Sequence, residues 1–97
     1  GIQQYQAGKT TEALETFERA LFLSRQQGDR ENEWRSLGWM GLIYSRLGQV
    51  QKALELHQQA LVIAKEIKYR SGEGATLNNI GLIYDSLGEY AKALELK

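Results

Sequence analysis

Shifting the chain by forty residues lays Gly41-Leu-Ile-Tyr44-Ser-Arg-Leu-Gly48-Gln-Val-Gln-Lys52-Ala-Leu-Glu-Leu56 onto Gly81-Leu-Ile-Tyr84-Asp-Ser-Leu-Gly88-Glu-Tyr-Ala-Lys92-Ala-Leu-Glu-Leu96. No other feature of the sequence restricts the fold as strongly. Of the 17 aligned positions from Gly41/Gly81 to His57/Lys97, 11 are identical, where unrelated sequences share roughly one at ordinary residue frequencies. The same shift brings residues 1–40 onto 41–80 without a gap. It matches Gly1, Gly8, Ala13, Leu14, Glu15, Ala20, Leu21, Arg30, Glu33 and Leu37. A period of this length holding two helical patterns predicts an all-α solenoid, in which each unit buries its apolar face against its neighbours.

The helical patterns are read from apolar spacing and from turn residues. Ala13, Leu14, Phe17, Ala20, Leu21 and Ser24 fall at helical spacing, and Thr10 stands in front of them as an N-cap. That helix is expected to run to about Gln27. Gly28-Asp29-Arg30 is turn chemistry; Trp34, Leu37, Gly41, Tyr44 and Leu47 mark a second helix, closed by Gly48 in the left-handed conformation. A third helix spans Val50 to Ile67, Lys68-Tyr69-Arg70 turns, a fourth spans Ser71 to Leu87, and Tyr90 to Lys97 begins a fifth. With Gly41 as phase mark the units are 1–33 (partial), 34–73 (complete) and 74–97 (partial), 97/40 or about 2.4 repeats. Proline is absent, so glycine and polar turns supply all the punctuation.

Gly41 and Gly81 sit inside helical patterns, where glycine costs roughly 1 kcal/mol relative to alanine. Close approach of a neighbouring helix would offset that cost. Ala53, Ala60 and Ala93 are expected opposite, with Tyr44 and Tyr84 filling the adjoining gaps, and on this reading Gly81→Leu overpacks the helix pair by about 1–3 kcal/mol.

Composition narrows the functional classes. Lysine plus arginine and aspartate plus glutamate number 12 each, so no net field draws the chain to nucleic acid or to an anionic membrane. The absence of cysteine removes disulfides and thiolate metal sites, and a cytoplasmic setting fits that composition. No apolar run approaches the ~18 residues of a membrane span, and Gly1-Ile-Gln-Gln-Tyr-Gln has no signal-peptide pattern. His57 is the sole histidine and has no second histidine or cysteine to complete a metal or catalytic site, so it is expected to be a partly buried packing residue. Glu12, Glu15 and Glu18 lie at helical spacing with Arg19 four residues after Glu15, the pattern of a solvated face. Gly72-Glu-Gly74-Ala-Thr-Leu77 has no strand before it and leucine where a dinucleotide fingerprint needs its third glycine. No enzyme constellation, metal or cofactor is expected.

Leu37, Gly41, Tyr44, Gly48, Ala53, His57 and Ala60, and again Leu77, Gly81, Tyr84, Gly88 and Ala93, give the chain a pattern that resembles the tetratricopeptide repeat over its whole length. The first unit carries Gly1, Gly8, Ala13, Phe17 and Ala20 in register but Gln4 where the others have tyrosine. The usual period is 34 and a proline commonly closes the second helix, and this chain departs on both points. Units of forty residues resemble the subclass seen in kinesin light chains, in Pins-type spindle-orientation adaptors and in many bacterial regulatory proteins. Thr76-Leu-Asn-Asn-Ile-Gly-Leu-Ile-Tyr84 is similar to the first helix of the kinesin light chain style.

The resemblance implies a right-handed superhelix of antiparallel helix pairs, whose first helices line a concave groove that holds a peptide or helix of a partner protein. Carried over by position, the groove would be lined by Arg35, Gly38, Trp39, Leu42, Ser45 and Arg46, and by Ala75, Asn78, Asn79, Leu82, Asp85 and Ser86. An asparagine at the place of Asn79 commonly bonds a ligand backbone in related arrays. Trp39 holds that place in the middle unit and would favour an aromatic or aliphatic ligand side chain; packing against the preceding unit is its alternative. Trp34 and Trp39 project about 140° apart, so one is expected in the core. Arg35 and Arg46 would meet an acidic ligand, although Glu31 lies four residues before Arg35 and an ordinary surface pair competes. Gly38, Leu42 and Leu82 occupy the places where chaperone-binding arrays hold a carboxylate clamp, which argues against that activity.

Two functional readings follow. One is a peptide-binding module acting as scaffold or adaptor. The other is a spacer segment of a longer regulatory array, in which a solenoid cut inside a helix pair exposes apolar faces and associates end to end. Residues shared by the copies specify stacking; the contrasts Trp39/Asn79 and Ser45-Arg46/Asp85-Ser86 carry the functional information.

Overall fold

A computed structural model describes the backbone of residues 2–95 and the side chains of residues 9–88. Four helices account for nearly all of it: α1 (Ile2–Gln27), α2 (Arg30–Arg46), α3 (Val50–Glu66) and α4 (Arg70–Glu95). Consecutive helices pack as neighbours in a slab of 50 × 37 × 17 Å, one helix pair thick. The architecture is the all-α solenoid that the repeat predicts.

Three turns build it, and they are copies of one another. Gly28 (φ 70°), Gly48 (φ 81°) and Lys68 (φ 59°) are left-handed. In each, the following amide reaches back five residues: Asp29 N donates to Ser24 O at 2.8 Å, Gln49 N to Tyr44 O at 2.9 Å, and Tyr69 N to Ala64 O at 2.9 Å. These bonds satisfy carbonyls that the helix end leaves orphaned. Asp29 then caps α2, its side chain accepting from Asn32 N. The turn residues read from the sequence are therefore the ones used, with Lys68 adopting at some strain the conformation that Gly28 adopts freely.

Two expected breaks do not form. α1 passes through Gly8, Lys9 and Thr10 as one 26-residue helix, so Thr10 is no N-cap. α4 likewise passes through Gly88 for 26 residues, and the segment from Tyr90 is no separate helix. A turn forfeits helical hydrogen bonds and is offset only by packing of the helix that follows it.

The core has two layers. Leu37, Met40, Leu56, Ala60 and Ile63 form the first, with Leu14, Phe17, Leu21, Trp34 and Tyr44 packed on it. Ala53, Leu54 and Ile83 form the second, bordered by Val50, Ile80 and Leu87, and Tyr44 joins the two. Gly41 is a point of close approach, but to a ring and not to alanines: a Cβ there would lie 2.7 Å from Cε1 and Nε2 of His57. At Gly81 a Cβ would meet nothing within 4 Å among the described residues, and Ala93 lies outside the described side chains. Gly81→Leu therefore meets open space among the described residues and not the expected overpacked helix pair.

An ion network ties three helices together. The carboxylate of Glu33 is buried (side chain 7% exposed) and accepts from Arg25 at 3.2 Å and from Arg30 at 2.9 Å. Arg30 also bonds Glu66, and Arg25 reaches Gln59 at 3.4 Å. α1, α2 and α3 are thereby joined at one end of the slab.

Candidate functional site

α2 and α4 are the first helices of successive units. Near their amino-terminal ends Trp34 Nε1 donates to Thr76 Oγ1 at 2.9 Å, and Thr76 Oγ1 donates in turn to Gly72 O at 2.8 Å. Trp34 also meets the edge of Tyr69 at 5.0 Å, and Gly72 leaves room for both rings. This strut sets the separation of α2 and α4, and beyond it a trough opens between them.

The trough consists of two adjoining clefts. Near the strut, a cleft of about 190 Å³ is walled by Arg35, Trp39 and Leu42 of α2 and by Ala75 and Asn79 of α4. Further along, a cleft of about 250 Å³ is walled by Leu42 and Ser45 of α2 and by Asn79, Leu82 and Ser86 of α4, with Val50, His57 and Ile83 beneath. Leu42 and Asn79 belong to both clefts. Trp39, Leu42 and Leu82 are 50%, 38% and 57% exposed, so the trough presents apolar walls interrupted by amide and hydroxyl groups. The trough thus offers apolar contact and hydrogen-bonding groups side by side.

Of the residues expected in the groove, Arg35, Trp39, Leu42, Asn79 and Leu82 line the trough, together with Gly38, Ser45, Ala75 and Ser86. Arg46 is elsewhere, beside Lys9, Thr10 and Ala13 in a cleft between α1 and α2. Asn78 and Asp85 are exposed on α4 and line neither cleft of the trough. Arg35 pairs with Glu31 at 3.8 Å, both side chains more than half exposed, as the competing reading of that residue had it. Trp39 is half exposed and also packs on the preceding unit, its ring near-parallel to that of Phe17 of α1 at 6.0 Å with the planes 8° apart. Neither tryptophan is fully buried: Trp34 is the inter-unit strut.

His57 is buried more deeply than expected, at 1% exposure. Its Nδ1 has no hydrogen-bond partner among the described residues, and burial holds the imidazole pKa below its ordinary value, because an apolar surrounding disfavours the charged form. It forms the floor of the larger cleft. The sequence signal for that role was the forty-residue register, which places His57 where the first unit has Phe17. The Glu33 network gave no such signal.

Comparison with known proteins agrees with this architecture. A search of curated protein sequences finds no match to the chain. A designed protein solved by solution NMR, DA05, superposes with a TM-score of 0.79 at 21% identity, over 84% of this chain and 82% of that one; at that identity the likeness speaks to fold alone. The tetratricopeptide repeat model matches residues 1–66 and again 34–97, the two matches together covering the whole chain. Such repeats generally serve as scaffolds for protein–protein interaction. The chain belongs to the tetratricopeptide repeat family.

Proposed function

We propose that this chain binds a peptide or helix of a partner protein in the trough between α2 and α4, in the manner of the forty-residue subclass that its sequence resembles. The observation that supports it is the pair of adjoining clefts sharing Leu42 and Asn79, which offer a ligand apolar seats in sequence with a carboxamide between them. Asn79 has a paired donor and acceptor for the ligand backbone; Leu42, Leu82 and Trp39 take side chains; Arg35 stands at the rim. Selection of a displayed peptide library on the folded chain, followed by isothermal titration, tests the reading. Asn79→Ala is expected to weaken a selected peptide by about 1–2 kcal/mol, and wild-type affinity in that variant removes the groove.

A second reading has an observation of its own. On α4, Leu77, Gly81 and Tyr84 are exposed, whereas their counterparts Leu37, Gly41 and Tyr44 on α2 face α3. A face of that kind supports end-to-end association and a role as spacer in a longer array. Sedimentation at rising concentration decides it: a monomer throughout the micromolar range refutes it.

A further inference from the structure

α2 and α4 are the same helix of the repeat, and the two ends of the slab are left incomplete in opposite ways. Leu37, Gly41 and Tyr44 of α2 face α3, whereas on α4 Leu77 and Tyr84 are 49% and 52% exposed with Gly81 exposed between them. α1 shows the converse. By the shift of forty it is the counterpart of α3, and Thr16 and Leu23 are exposed where Leu56 and Ile63 lie buried in the core that α2 and α3 share. One end thus carries a first helix without its second, and the other a second helix without its first.

The two faces agree in register. Gly41 is packed under His57, a Cβ there lying 2.7 Å from the ring, and the shift of forty puts Gly81 and Phe17 in those two places. Glycine inside a helix costs stability. At Gly81 nothing among the described residues occupies the space of the missing side chain, so within one chain that cost brings no contact. Charge agrees as well. Arg30 bonds Glu66, and the Lys52 ammonium lies 5.4 Å from the Tyr44 ring centre. The same places hold Arg70 with Gln26 and Tyr84 with Glu12, pairs that oppose no like charges and give the phenol a carboxylate acceptor. α4 runs through Gly88 and α1 through Gly8 as unbroken helices, so within the described residues neither doubles back over its open face.

We infer that a second copy of this chain covers the open face of α4 with its own α1, head to tail. Phe17 of the second copy seats on Gly81 as His57 seats on Gly41, with Leu23 of the second copy against Leu77. The contact joins unlike faces and leaves an α1 and an α4 open at the ends, so it extends as a chain of copies. The inference rests on the end-to-end reading and adds which helix of the partner copy is used, and in which register.

Sedimentation velocity of the whole chain, from low micromolar to submillimolar concentration, is expected to show a mean mass that rises past the dimer. Gly81→Leu blocks the α4 face and Leu23→Glu the α1 face, and each alone is expected to weaken association at least about tenfold, with helicity by circular dichroism unchanged. Should Gly81→Leu lose helicity, Leu77→Glu at an exposed position repeats the α4 block. Mixing the α4-blocked and α1-blocked variants is the deciding measurement: one keeps an intact α1 and the other an intact α4, so together they form a one-to-one dimer that grows no further. A wild-type chain that stays monomeric throughout refutes both the pairing and the end-to-end reading. Association that Leu23→Glu leaves unchanged, or blocked variants that do not form the mixed dimer, overturns the pairing of α4 with α1 and keeps the end-to-end reading.

Discussion

Alanine placed at Gly41 and at Gly81 is expected to act in opposite directions, although the two glycines hold the same place in the repeat. Both lie in helices, α2 and α4, so each substitution gains about 1 kcal/mol of helix propensity. At Gly81 nothing among the described residues stands within 4 Å of the new Cβ, and the gain is realised. At Gly41 the Cβ falls 2.7 Å from two atoms of the His57 ring, closer than such atoms can stand, and His57 is itself 1% exposed. Overpacking of this kind costs about 1–3 kcal/mol. The cleft above His57 gives the ring one direction in which to yield, so we take about 2 kcal/mol, which leaves Gly41→Ala destabilised by about 1 kcal/mol net. The two variants then differ by about 2 kcal/mol, or some ~8–16 °C in Tm for a domain of this size. Thermal melts by circular dichroism, with urea titrations for the free energies, measure the difference. The double variant Gly41→Ala/His57→Ala isolates the contact, because removing the ring should make the alanine at 41 favourable again. Gly41→Ala stabilised as much as Gly81→Ala would refute the close approach of α3 to α2 at this point.

Further outcomes follow from other parts of the fold. Lys68→Gly is expected to raise stability by about 0.5–1 kcal/mol in urea titration, since φ of 59° strains a lysine and not a glycine, partly offset by the freer unfolded chain. Burial lowers the His57 pKa from 6.5 in the unfolded chain, so the unfolded state takes up a proton first; stability holds above pH 6.5 and falls as the pH drops below it. His57→Phe, which copies Phe17, removes that part of the pH dependence of Tm. Glu33→Ala leaves Arg25 and Arg30 without their buried acceptor and is expected to lose about 1–3 kcal/mol, whereas Glu31→Ala, at an exposed pair, changes stability by less than about 0.5 kcal/mol. Trp34→Phe gives up the bond to Thr76 and is expected to lose about 1 kcal/mol, with matching shifts in the amides of α4 by NMR.

Much of the fold was legible because it rests on backbone conformations that few residues adopt. Gly28 and Gly48 announce left-handed turns, and the forty-residue register extends the reading to Lys68, whose residue type alone would not have suggested one. The same register misled at Gly8 and Gly88, because a glycine permits a turn without requiring it; packing of the following helix decides, and packing is not local. Of the groove, Leu42, Asn79 and Leu82 were legible as positions. Their junction into two clefts was not, for it depends on the bond between Trp34 and Thr76, 42 residues apart, which neither residue reveals alone. Glu33 shows the same limit: its carboxylate is buried only because arginines from two helices meet it.

Leu42 and Asn79 each wall both clefts of the trough, and this sharing restricts how such a surface can change over generations. On the proposed groove reading, a substitution at either residue alters both clefts at once, so the ligand side chains held in them change together. Residues that serve a single cleft are free of that tie: Arg35 and Trp39 on one side, Ser45, Leu82 and Ser86 on the other. If the trough binds a partner as proposed, its preference should therefore drift through the residues that wall one cleft, while the shared pair keeps the two clefts in step.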